Sequence, residues 1–149
     1  MTPDEMRRAF DVHREAEIRR DLPAVVETFD DACFLENVAV GTRAEGKAAV
    51  LAAYESLFAT FPDIDPENRV FAYGDDVMVN SGSVRGTMNG DWLGIRATGR
   101  SFECAFTNVV PFKNGKMQGE AVLFDLASMC EQIGVSIEEL RTRARGSHA

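Results

Sequence analysis

The stretch SFECAFTNVVPFKNGKMQGEAVLF, Ser101 to Phe124, reads as two strands joined by a tight turn. Phe102, Cys104, Phe106, Asn108 and Val110 form one side of the first strand; Ser101, Glu103, Ala105, Thr107 and Val109 form the other. That period of two marks a half-buried strand, with the even, more apolar side expected to line the interior. Asn114-Gly115 between apolar runs is a strong hairpin signal, because a type I′ turn needs positive φ at both central residues. A hairpin with one apolar face needs a cover, and the rest of the chain supplies one.

Upstream, Thr2, Pro3 and Glu5 make an N-cap, a first-turn proline and an N3 acid ahead of Met6, Phe10 and His13 at helical spacing. A first helix is expected to about Arg20. Asp21 caps a second apolar turn, LPAVVETF, before DDACFLENVAV becomes strand-like. From Gly46 a third helix places Val50, Tyr54, Leu57, Phe58 and Phe61 on one stripe until Pro62 stops it. RVFAY and VMVNSGSVRG add strands around a GDD turn, and a Gly-rich connection leads into the hairpin. Asp125 opens a helix DLASMCEQIG, and Ser136 with Glu139 forms a capping box before a terminal helix. Helices first and an antiparallel meander after them define an α+β domain whose sheet is covered by helices on one face.

At 149 residues the chain suits one domain, expected over residues 1–145, with 146–149 as a tail; GSHA resembles a tag remnant, so His148 is left out of the chemistry. The formal charge of −8 repels phosphate backbones, and the only basic cluster, RTRAR at Arg141–Arg145, is short, so nucleic acid is not an expected partner. No apolar run reaches the roughly 20 residues that span a bilayer, and the acidic, polar start is unlike a secretory signal. No membrane association and a cytoplasmic location are expected. Cys33, Cys104 and Cys130 are widely spaced and read as core thiols. No His, Cys or Asp cluster at ligand spacing and no phosphate-binding loop is visible, so neither a metal nor a cofactor is expected.

Four segments, FDDACFLE, EGKAAVLAAYESLFATFPD, GTMNGDWLGIRATGRSFE and NGKMQGEAVLFDLASMCEQIG, follow the order and spacing of SnoaL-like polyketide cyclases. That family belongs to the nuclear-transport-factor-2-like, or ketosteroid-isomerase-like, superfamily, and the resemblance covers roughly residues 5–134. It implies a cone-shaped, curved antiparallel sheet wrapped around helices, an apolar cavity open at one end, and a homodimer. It also shows departures. Where cyclases of this branch place an acid/base aspartate and a histidine on the last two strands, this chain has Val122 and Asn108; the histidine frequent in the Gly-rich loop is Met88.

GEAVLFD holds two carboxylates an odd number of positions apart, so Glu120 and Asp125 point to opposite faces while the strand lasts. Asp125 precedes a helix and reads as its N-cap. Glu120 shares a face with Gln118, Val122 and Phe124; if that face is inner, burial disfavours its charge and suits it to acid/base work. If Met117, Ala121 and Leu123 face inward instead, Glu120 lies at a dimer contact or in water. Asn108 either orients a ligand carbonyl or is a satisfied core amide. Tyr54 either donates to a developing enolate or packs in the core, and Glu36 is a second acid or polar anchor, or a solvated strand end. Trp92 is the ring expected at the cavity mouth, and Phe58, Phe106, Val122, Phe124, Met88, Cys104 and His13 complete the expected ligand contacts. The chemistry this suggests is cofactor-independent cyclisation or isomerisation of a small apolar carbonyl compound, polyketide- or steroid-like, through proton abstraction and an enolate. A non-catalytic module that binds an apolar ligand or dimerises is the alternative, and water attack on an epoxide a weaker one.

Overall fold

The computed structural model describes residues 1–147; the exclusion of His148 therefore concerns a position outside the described residues. Eleven elements follow one another: α1 (Pro3–Ile18), α2 (Leu22–Glu27), β1 (Phe29–Asn37), β2 (Thr42–Glu45), α3 (Lys47–Thr60), β3 (Asp65–Gly74), β4 (Val77–Thr87), β5 (Ser101–Lys113), β6 (Lys116–Phe124), α4 (Leu126–Ile133) and α5 (Ile137–Gly146). The six strands form one curled, unclosed sheet in the order β2-β1-β6-β5-β4-β3. All neighbours are antiparallel except β1 and β6, which run parallel. A strand from the start of the chain thus lies beside the last one, the long-range step that curls the sheet around α1 and α3.

The caps do what their sequences require. The Thr2 hydroxyl accepts the Glu5 N–H while the Glu5 carboxylate accepts the Thr2 N–H, closing a capping box on α1. The helix stops at Ile18, earlier than the expected Arg20, because Arg20 turns into the left-handed region at φ 56°. Its guanidinium then bonds the carbonyls of Glu17, Pro62 and Ile64. The sequence reading missed β2, a four-residue edge strand paired with the end of β1. The other strands and the Asn114-Gly115 turn, with φ of 53° and 75°, form as expected.

One irregularity positions the site. Val109 pairs with Ala121 but Phe112 pairs with Met117, so β6 spends one more residue than β5 over that interval. The bulge reverses the alternation. Met117 and Glu120, an odd number of positions apart, are therefore both buried, while Leu123 is 52% exposed on the other side. Gly119 makes room for this, since a Cβ there would sit 2.5 Å from the Phe34 ring on β1.

Two apolar clusters fill the inner side. One joins α1, α3 and the turn end of the hairpin through Met6, Phe10, Phe29, Val50, Met78 and Met117. The other joins β5 to α4 and α5 through Phe102, Cys104, Met129, Ile133 and Leu140. The three cysteines are free and buried. No helix among the described residues is long and apolar enough to cross a membrane.

Candidate functional site

Between the two clusters lies a cavity of about 890 Å³, lined by residues of both. That is within the roughly 300–1,000 Å³ typical of small-molecule sites. Helix α3 contributes Ala49, Ala53, Tyr54, Leu57 and Phe58 to the wall, and the sheet contributes Asn80, Phe106, Asn108, Glu120, Val122 and Phe124. Small alanines on one helical face leave the space between helix and sheet unfilled while keeping that part of the wall apolar.

Glu17, Glu36 and Asp91 also reach the cavity, but Glu120 is the acid that the sheet's inner face buries, at only 6% exposure. The His13 Nε2 lies 2.8 Å from its Oε1. The Tyr54 hydroxyl donates to the same oxygen at 3.3 Å, and the Asn108 amide donates to Oε2 at 2.9 Å. Three elements, α1, α3 and β5, therefore clamp one carboxylate of β6. His13 is itself held from behind. Its Nδ1 is 2.8 Å from the Thr28 hydroxyl, whose own hydrogen goes to the Val25 carbonyl, so the ring nitrogen must be the donor. The Nε2 also faces Glu17 Oε1 at 3.3 Å, and Arg14 pairs with the outer oxygen of Glu17.

The cluster balances two carboxylates against an imidazolium and a guanidinium. Burial works against the His13 cation, but the charges of Glu17 and Glu120 outweigh it and raise the pKa to about 10. Burial likewise opposes the Glu17 anion, yet His13 and then Arg14 hold its pKa at about 2. Burial, followed by the Glu120 and Glu17 charges, pushes the Tyr54 phenol well above its usual range, so it stays a donor.

His13, Glu17 and Glu120 present ligand atoms within 4.8 Å of one another. The expectation that no metal-capable cluster exists is thus corrected: linear spacing did not reveal it, because Glu120 arrives from the far end of the chain. In this arrangement the positive charge between the carboxylates is supplied by the imidazolium itself.

The structure brings Glu120, Asn108, Tyr54 and His13 together, although His13 stands behind Glu120 and does not line the cavity. Glu36 lines it from a half-exposed position, paired with Arg43 at 2.9 Å and away from the clamp. Trp92 lines it with its ring edge-on to Phe61 at 5.2 Å, and Phe58, Phe106, Val122 and Phe124 do so as well. Met88 and Cys104 do not. Both are buried in the cluster formed with α4 and α5, because α4 packs over that end of β5 and fills the space where ligand contact was expected. Sequence reasoning missed Arg14, Glu17, Thr28 and Asn80. Glu17 carried a signal, since it follows His13 by one helical turn on α1.

Asp125 caps α4, accepting the Ser128 N–H at 3.0 Å and its hydroxyl at 2.7 Å, and those bonds lower its pKa. Asp125→Ala should lower the melting temperature by a few degrees and leave any turnover nearly unchanged. Thermal melting beside an activity assay checks this, and a loss of turnover beyond the loss of folded protein would contradict the capping role.

The architecture is that of the ketosteroid-isomerase-like fold class. A protein of that fold from Catenulispora acidiphila superposes with a TM-score of 0.75 at 12% identity, over 93% of this chain and 98% of the other. TsrD from Streptomyces laurentii gives 0.76 at 19% identity, over 91% and 99%. IdmH from Streptomyces antibioticus, provisionally described as a polyketide cyclase, gives 0.68 at 23% identity, over 85% and 96%. Within that class the SnoaL-like polyketide cyclase model matches residues 7–133, and the chain belongs to that family. No curated protein matches significantly.

Proposed function

We propose that the protein is a cofactor-independent enzyme that moves a proton on a small-to-medium apolar carbonyl compound, leading to cyclisation or isomerisation. The observation that carries this reading is a nearly buried carboxylate on the cavity wall, clamped by three side chains from three elements. A base fixed in this way loses little freedom when a substrate arrives. Glu120 takes a proton from the carbon next to the substrate carbonyl, and the C–H electrons move onto the carbonyl oxygen. Tyr54, which lines the same cavity and remains protonated, turns its one hydrogen from Glu120 Oε1 to that oxygen as Glu120 takes the proton and no longer needs the bond. His13 touches no substrate; it positions Glu120 and balances its charge. Glu36 with Arg43 is the polar edge of the site.

Exchange of α-protons in D2O tests the reading without the natural substrate. With aryl methyl ketones as probes, the protein should speed deuterium incorporation at the methyl group, followed by NMR; incorporation no faster than in buffer would reject the proposed chemistry. Saturable binding without exchange would instead favour the second reading, a ligand-binding module. That reading draws on Val122, an apolar wall residue where the cyclases of this branch carry their aspartate.

The proposal includes a homodimer through the outer face of the sheet, where Val109 is 39% exposed and Leu123 52%, beside the half-buried Val77, Val79 and Thr107. Sedimentation should show a dimer at roughly tens of micromolar. A monomer there would remove this part of the proposal.

A further inference from the structure

Asn80 on β4 and Asn108 on β5 stand opposite each other in the sheet register. Both line the cavity, and both are buried, at 1% and 5% exposure. Chemistry settles how Asn108 is turned. A carboxylate oxygen accepts, so the amide nitrogen must be the atom 2.9 Å from Glu120 Oε2, and the amide oxygen is left over. That oxygen and both polar atoms of Asn80 have no hydrogen-bond partner among the described residues. Buried polar groups are nearly always paired, so an unsatisfied pair on a cavity wall points to something that enters the cavity.

The unmet demand is specific. Two amide oxygens require donors, and the Asn80 amide nitrogen requires an acceptor. A ketone oxygen answers only the last of these. A hydroxyl answers both kinds, donating to one asparagine oxygen while accepting from the Asn80 nitrogen. We propose that the Asn80–Asn108 pair seats a hydroxyl of the ligand, which would place hydroxylated rather than purely ketonic compounds beside Glu120. The proposal rests on the reading of this cavity as the substrate site, and it narrows the substrate class to apolar carbonyl compounds that also carry such a hydroxyl. Asn108 then has two tasks, with its nitrogen on Glu120 and its oxygen on the ligand.

A matched pair of fluorescent probes tests this: 6-acetyl-2-naphthol and its methyl ether, which can accept through the ether oxygen but has no hydrogen to donate. Titration of the wild-type protein should show the naphthol binding about tenfold or more tighter than the ether, as expected when an analogue leaves buried site groups unpaired. Asn80→Leu, close in size, should bring the two affinities to within about twofold of each other. As a readout that needs no variant, the Asn80 and Asn108 side-chain amide signals in the NMR spectrum of the wild-type protein should move further at saturation with the naphthol, which also donates to an amide oxygen, than with the ether, which only accepts. Equal affinities, no saturable binding of either probe, amide signals that move no further with the naphthol than with the ether, or a preference undiminished in a cooperatively melting Asn80→Leu would each overturn the proposal. The acetyl protons of the same probes report exchange separately. A naphthol preference without exchange removes the catalytic reading and keeps this one, while exchange without preference does the reverse.

Discussion

Glu120→Gln should lower catalysed α-proton exchange, or turnover of any identified substrate, by about a hundredfold or more, because the amide keeps the side chain's shape but cannot take the proton. The fold should survive. The glutamine oxygen can still accept from His13 and Tyr54, and although its nitrogen meets the Asn108 nitrogen, Asn108 can flip and offer the oxygen that has no protein partner. The expected signature is a cooperative melt with the activity gone. Glu36→Gln, which disturbs a half-exposed pair away from the clamp, should change the rate far less. An active Glu120→Gln protein would show that the base is elsewhere, and Glu36 would be the next acid to test.

The largest stability effect is expected at His13. Replacing it with glutamine leaves Glu17 and Glu120 facing each other without the imidazolium, and removal of one partner from a buried ionic cluster costs about 3–5 kcal/mol. The pH dependence has a definite sign. His13 rises from 6.5 to about 10 on folding, so its contribution is complete below about pH 6.5 and is lost as pH climbs through about 10. Glu17 falls from 4.5 to about 2, so its contribution is present above about pH 4.5 and is lost as pH drops through about 2. The gap in melting temperature between wild type and His13→Gln should therefore be widest between about pH 4.5 and 6.5 and should close towards pH 10. Melts of both proteins across that range decide it. A gap that stays constant with pH would mean that His13 acts through packing and not through charge.

The face of β6 shows why the sequence stopped short of the site. Alternation offered two incompatible readings, with Glu120 inward or Met117 inward, and each was sound for a regular strand. The bulge opposite Val109–Phe112 makes both residues buried, and a bulge depends on the register of three strands paired across the sheet. Asp125 was legible because capping is local: the carboxylate and the N–H it accepts lie three residues apart. His13 could be placed on the buried side of its helix but not assigned its partner, since Glu120 is 107 positions away.

What the sequence by itself determined is therefore whatever depends on neighbours along the chain. The caps of α1, α2 and α4, the Asn114-Gly115 turn, the apolar stripe of α3, the buried face of β5 and the α+β class all rest on periods of a few residues. Only the tertiary structure decided the parallel pairing of β1 with β6, the removal of Met88 and Cys104 from the cavity by α4, and the charge cluster of His13, Glu17 and Glu120. The physical reason is range. Hydrogen-bonded turns and side-chain periodicity act over one or two turns of chain, whereas a buried charge is tolerated only where distant segments bring its counter-charge into the same low-dielectric space.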